Sequence, residues 1–385
     1  MTPPTRRYDA IVVGAGTMGS AAAFHLARRG QRVLGLEQFG LVHDRGSMHG
    51  QTRIIRLAYH EQPGYVSLLR RAYDLWRELE VRTDTRLLEL VGSLAVGPEG
   101  GGVIRGALLT CRAHAIDHEL LTARDLTARY PAYQPPAGDV ALLQPEGGLL
   151  WAERCVQAHI DAARAEGAEL HAEERVLDWT GRPGGVSVRT DRGTYEADRL
   201  VVCPGAWAGD LARLPAGLLV PTRQVVAWFE TLQPRLFEPE RFPVFVIETE
   251  GRDHYGFPEY ESSGFKVGRM NHPGGPADPD ALDREASAEE VEVLRSFVAD
   301  WFPAGAGRTL ETSVCMFTNT ADRHFVLDFH PDEPNVVIGS ACSGHGFKFA
   351  PVVGEILADL AIDGATRHEI DFLRLDRLLD PAAPR

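Results

Sequence analysis

One stretch leaves few folds open to this chain: YDAIVVGAGTMGSAAAFHLARRGQRVLGLE, from Tyr8 to Glu37. A short apolar run, residues 10–13, meets Gly14-Ala15-Gly16-Thr17-Met18-Gly19. A helical pattern follows, with Ala22, Leu26 and Ala27 on one face, and stops at Gly30. Residues 31–36 are apolar again and end at Glu37. Strand, glycine turn, helix and strand form the context in which GxGxxG binds a dinucleotide. Gly14 permits the tight turn, Gly16 lets the backbone approach a pyrophosphate, and Gly19 lets helix and strand pack closely. The helix N-terminus faces the phosphates with free N–H groups and a favourable dipole. Glu37 sits where a ribose ligand belongs, and its charge would repel a 2′-phosphate. That argues against NADP and leaves NAD and FAD open.

The rest of the chain separates those two. Residues 56–79 do not continue a parallel sheet; they read as a mixed stretch and then a helix. Residues 152–165 read as a helix, 169–177 and 186–190 as strands, and 199–212 as a strand, a Pro-Gly turn and a helix. Between these lie less regular regions with alternating strands at 224–231 and 244–249, broken by loops at 98–102 and 272–276. The pattern predicts an α/β fold: a Rossmann-like cofactor domain made of residues 1–88, 143–216 and 312–385. A mostly antiparallel β substrate domain, residues 89–142 and 217–311, is expected as a double insertion. Near the C-terminus a strand at 335–338, a small-residue loop at 339–346 and an apolar helix from Val352 to Leu360 make a second anion site. A nicotinamide has no evident need of one. A reduced flavin, negative near N1 and the C2 carbonyl, has, so FAD is favoured.

Composition removes other classes. The formal net charge of −14 argues against nucleic acid as a partner. No run is apolar enough to cross a bilayer. The few residues before the first strand predict no signal peptide, and Arg6-Arg7 followed by Tyr8-Asp9 is no export signal. Cys111, Cys155, Cys203, Cys315 and Cys342 form no CxxC pair, which reads as reduced thiols of a cytoplasmic protein. The histidines show no HExxH, so no metal is expected, and no GxSxG points to hydrolysis. The acidic surface is compatible with a monomer.

Four stretches, GSMHGQTRIIRLAY (46–59), YGFPEYESSGFKVG (255–268), CMFTNTADRHFVLD (315–328) with SGHGFKF (343–349), and VVGAGTMGS, together resemble the monomeric sarcosine oxidase and N-methyltryptophan oxidase family of D-amino-acid-oxidase-like flavoproteins. The likeness runs from end to end. It implies FAD, an antiparallel sheet over the flavin, and oxidation of N-methyl amino acids by oxygen to an imine and hydrogen peroxide. It also implies roles. Arg56 and Lys348 would bind the substrate carboxylate, for which a planar guanidinium is suited, with Arg53 near the flavin ring. Arg53 and Arg56, three apart, would share a face if helical. Lys266, in an apolar strand where an inward ammonium is costly, would activate oxygen as a fixed cation. Cys315 would carry FAD covalently through a thioether; taken alone, it reads as a buried inert thiol, and Cys342 as core packing. Tyr255 and His345 match active-site positions. Thr52, Val176, Gly344 and Gly346 are assigned to the cofactor. Two positions depart from the family pattern: Phe317, where the sarcosine oxidases carry tyrosine, and Met270, where they carry histidine. Both leave the amine substrate open among sarcosine, N-methyltryptophan and proline- or pipecolate-like acids.

Overall fold

The computed structural model describes residues 7–249, 252–261, 264–270 and 275–379. Arg6 and residues 272–274 of the expected loop lie outside the described residues. The opening motif folds as strand Arg7–Val13, helix Thr17–Arg28 and strand Val33–Leu36. The two strands are parallel, with Ala10 opposite Val33. Five parallel strands make the centre of an eight-stranded sheet, in the order Glu169–His171, Val33–Leu36, Arg7–Val13, Thr194–Val202, Glu333–Ser340. Val326–His330 closes one edge, and the hairpin of Val176–Arg182 and Gly185–Thr190 pairs with the first half of Thr194–Val202. Both faces are apolar, as a parallel sheet requires. Ala10 and Val12 face one core, while Ile11 and Val13 face another.

Four helices, Thr17–Arg28, Tyr65–Thr83, Ala152–Ala165 and Ala350–Asp363, pack together on the first of those faces. Small residues set their spacing: a Cβ on Gly354 would lie 2.5 Å from the Ala21 carbonyl carbon. Burial of each large apolar side chain here contributes about 1.5–3 kcal/mol.

A second eight-stranded sheet runs Thr309–Asn319, Val220–Phe229, Phe265–Arg269, Arg252–Phe257, Val244–Thr249, Ser93–Pro98, Asp139–Gln144, Glu119–Thr122. Neighbours are antiparallel except for Val244–Thr249 with Ser93–Pro98. Strand periodicity splits its side chains between two surroundings. Phe229, Phe245, Phe265 and Val267 turn to an aromatic core under helix Ala288–Trp301, with Phe297 and Phe302. Their alternates turn the other way.

Two features add to the sequence reading. Strand Thr309–Asn319 crosses the expected boundary at 312: it pairs along its length with Val220–Phe229, so Cys315 stands in the second sheet. Residues Thr52–Ile55 are a strand, not a helix, in a three-stranded sheet with Gly148–Trp151 and Leu88–Glu89. Arg56 follows the end of that strand, so the helical i, i+3 face does not exist.

Candidate functional site

A cavity of about 390 Å³ lies between the two sheets, of a size typical of ligand sites. Its nucleotide end is built by the opening motif. Gly14 has φ +85°, and a Cβ there would approach the Cys203 carbonyl oxygen to 2.6 Å. Gly19 is buried beneath it, where any Cβ would collide with the Gly14 carbonyl. A Cβ on Gly16 would meet nothing, because that residue faces the cavity. No side chain caps the helix that starts at Thr17. Glu37 lines the same end; its carboxylate accepts the N–H groups of Ala15 (3.0 Å) and Phe39 (3.1 Å). Burial raises its pKa, and those N–H groups oppose the rise. Val176 also lines this end.

The roof is the second sheet's other face. Val246, Asp253, Tyr255, Phe257, Lys266, Met270, Ser313, Cys315 and Phe317 all line the cavity. Register explains the set: Tyr255 is opposite Val246 and Gly268, Phe257 is opposite Lys266, and Val226 is opposite Ser313. The Lys266 ammonium donates to the carbonyls of Gly50 and Thr52 (3.0 Å to the latter) and to the Thr52 hydroxyl (3.3 Å). Phe257 and Trp228 flank it. Burial, then nearby Arg53, drives its pKa well below the ordinary value. The turn it touches is held by Glu153, whose Oε1 accepts the N–H groups of Gly50 (2.8 Å) and Gln51 (3.1 Å). Burial raises the Cys315 thiol pKa, against the pull of Arg53 and Lys266.

Opposite stand the cations. Arg56 is 4% exposed and donates to the Ala58 carbonyl (2.7 Å) and to both oxygens of Glu61 (2.8 and 3.0 Å). Burial alone would raise the Glu61 carboxyl, but Arg56 and the neighbouring His60, His345 and Lys348 hold it well below the usual range. Lys348 donates to the His345 carbonyl (2.7 Å), and burial, then Arg56, lowers its pKa to about 7. Arg53 donates to the carbonyls of Thr52 (2.8 Å), Ser47 and His49 (both 2.6 Å). His345 has both ring nitrogens engaged: Nε2 donates to the Arg323 carbonyl (2.9 Å), so Nδ1 accepts from the Tyr59 hydroxyl (2.5 Å).

A family profile described as FAD dependent oxidoreductase matches residues 9–360. The chain is 42% identical to the monomeric sarcosine oxidase of Streptomyces avermitilis, over 98% of this chain and 99% of that one. The chain belongs to the sarcosine oxidase family of FAD-dependent oxidoreductases. An N-methyl-L-tryptophan oxidase of Yersinia pestis is 32% identical over 96% of this chain and 99% of its own. Among solved structures, NikD, described as an unusual amino acid oxidase essential for nikkomycin biosynthesis, aligns with a TM-score of 0.85 at 29% identity, covering 96% of this chain and 98% of its own.

The residues of this flavoprotein fit an FAD. Besides the open Gly16 and the uncapped helix, the buried Nε2 of His49 lines the cavity with no hydrogen-bond partner among the described residues. Most residues expected from the sequence meet here: Gly14, Gly16, Glu37, Arg53, Arg56, Val176, Tyr255, Lys266, Cys315, Gly344, His345, Gly346 and Lys348 line one cavity. Gly19 and Thr52 do not line it. Gly19 serves packing, and Thr52 turns its oxygens to Lys266. Cys342, expected in the core, is half-buried and lines the cavity, its sulfur accepting the Thr318 N–H (3.2 Å). His345 presents no spare nitrogen; it orders its loop. Met270 and Phe317, the two departures, converge on Gly344, where a Cβ would meet them at 2.9 and 2.8 Å. The sequence reading missed Glu61, Asp253, His49 and Glu153. Alternation back from Tyr255 would have flagged Asp253; nothing local marks Glu153.

Proposed function

We propose that the protein is an oxidase of secondary amino acids such as sarcosine. The observation that carries this reading is that two cations suited to a carboxylate, Arg56 and Lys348, face the same cavity as Lys266, a buried lysine with no acidic partner among the described residues. Arg56 and Lys348 hold the substrate carboxylate and so fix the amine's N-methyl carbon over the redox site. The bound flavin supplies the electron acceptor for the amine and the donor to oxygen. Lys266, fixed by the Gly50 and Thr52 carbonyls, offers a positive charge to oxygen as it gains electrons. Tyr255 shapes the roof beside the amine. For sarcosine the balance is sarcosine, oxygen and water to glycine, formaldehyde and hydrogen peroxide. Support comes from the family and from the shared cavity of these residues.

We further infer a thioether from Cys315 to the flavin, and a cytoplasmic monomer. No helix among the described residues is long and apolar enough to cross a membrane. Oxygen uptake with sarcosine and N-methyl amino acids, with peroxide and formaldehyde measured together, tests the activity. If no such amine bleaches the visible spectrum of the yellow protein, the reading fails. Acid precipitation tests the linkage: a yellow pellet that turns colourless in Cys315→Ala is expected, and a yellow supernatant from the unaltered protein overturns it.

A further inference from the structure

The cavity face of the second sheet is laid out in rows. Phe257 and Lys266 share one row, Val246, Tyr255 and Gly268 the next, and Glu248 and Asp253 a third. Met270, whose N–H donates to the Asp253 carbonyl (2.7 Å), extends that third row. Rows two residues apart are separated by about 7 Å. The inner row carries a cation; the outer row carries a carboxylate. Its acidic neighbours are satisfied: Glu248 accepts the Val103 N–H (2.9 Å) and Glu61 is paired with Arg56. The Asp253 carboxylate has neither hydrogen bond nor ion pair among the described residues. Burial, then the charges of Glu248 and Glu61, pushes its pKa up to about 6, with the Arg56 charge opposing the rise. Met270 in the same row and Phe317, which also lines the cavity, offer soft and aromatic surfaces on which an aliphatic stem ending in a cation packs well. Sarcosine has no side chain and leaves this end unused.

Resting on the amino-acid oxidase reading, we propose that Asp253 receives the positively charged end of the substrate's side chain, so that the preferred substrates are secondary α-amino acids with a basic side chain of lysine or ornithine type. A chain of four or five bonds from the α-carbon spans one row.

The test compares kcat/KM, by oxygen uptake of the holoenzyme, for Nα-methyl-L-lysine, its near-isosteric neutral analogue Nα-methyl-L-norleucine, and sarcosine. The expected result is at least a tenfold preference for the lysine derivative over the norleucine one, falling to about one in Asp253→Asn. A ratio near one in the unaltered enzyme, with either amine or sarcosine turned over, overturns the proposal, as does a preference that survives in Asp253→Asn. Failure to oxidise any of the three is a different result: it removes the amino-acid oxidase reading and this proposal with it.

Discussion

Glu61 competes with the substrate for Arg56, and its removal should therefore tighten carboxylate binding. The guanidinium donates two bonds to Glu61, at 2.8 and 3.0 Å, from a nearly buried position. Hydrogen bonds to charged groups contribute about 1.5–3 kcal/mol each, and neutral ones about 0.5–1.5 kcal/mol. Glu61→Gln keeps the shape, removes the charge and leaves one acceptor oxygen, so the internal competitor loses one of its two bonds and weakens by roughly 2 kcal/mol. At about 1.4 kcal/mol per decade, a carboxylate that displaces residue 61 should bind roughly 10- to 30-fold more tightly. The same change leaves a buried cation short of a partner, so the ligand-free fold loses stability, by up to about 3–5 kcal/mol. The assay is titration of the holoenzyme's visible spectrum with acetate, which cannot be oxidised, alongside thermal melts with and without acetate. Glu61→Gln should show a lower Kd and a larger acetate-induced rise in Tm. An unchanged or higher Kd would refute the competition, and with it the assignment of Arg56 to the carboxylate.

Lys266→Met should slow reoxidation of the reduced enzyme by oxygen by about two to three orders of magnitude, as loss of one preorganised charge does elsewhere, while anaerobic reduction by substrate changes little; stopped-flow separates the two. Glu153→Ala frees two backbone N–H groups, so the Gly50 turn that holds Lys266 should loosen; a loss of about 1–3 kcal/mol in chemical denaturation and a lower oxygen rate should appear together, the second partly restored by Glu153→Gln. Lys348, with its pKa lowered to about 7, is a cation below that pH and neutral above it. Acetate affinity should therefore fall as pH rises through about 7, by up to tenfold per unit, and Lys348→Met should flatten the profile.

What the sequence made legible is what short motifs encode. The turn at Gly14, the strand ending at Glu37 and the helix after the 339–346 loop are local, and each was readable from spacing alone. Lys266 was readable because an ammonium in an apolar strand is costly wherever it points. The conformation of the Arg53 and Arg56 stretch stayed open because a three-residue spacing alone does not choose between helix and strand; strand pairing with Gly148–Trp151 decides it. Glu61 escaped because its meaning depends on a guanidinium folding back over five residues. Glu153 is legible only once residues 50 and 51 are brought over the start of helix Ala152–Ala165 by pairing of distant strands. Cys342 looked like core because a small-residue segment gives no sign of which side meets the cavity.

The cavity draws on residues near 14–18, 37, 174–177, 203–211 and 339–348. No fragment that stops short of the last of these contains a complete cofactor socket. The socket is complete only when these distant segments have come together. Flavin starvation is therefore expected to yield an apoprotein that colours on addition of FAD.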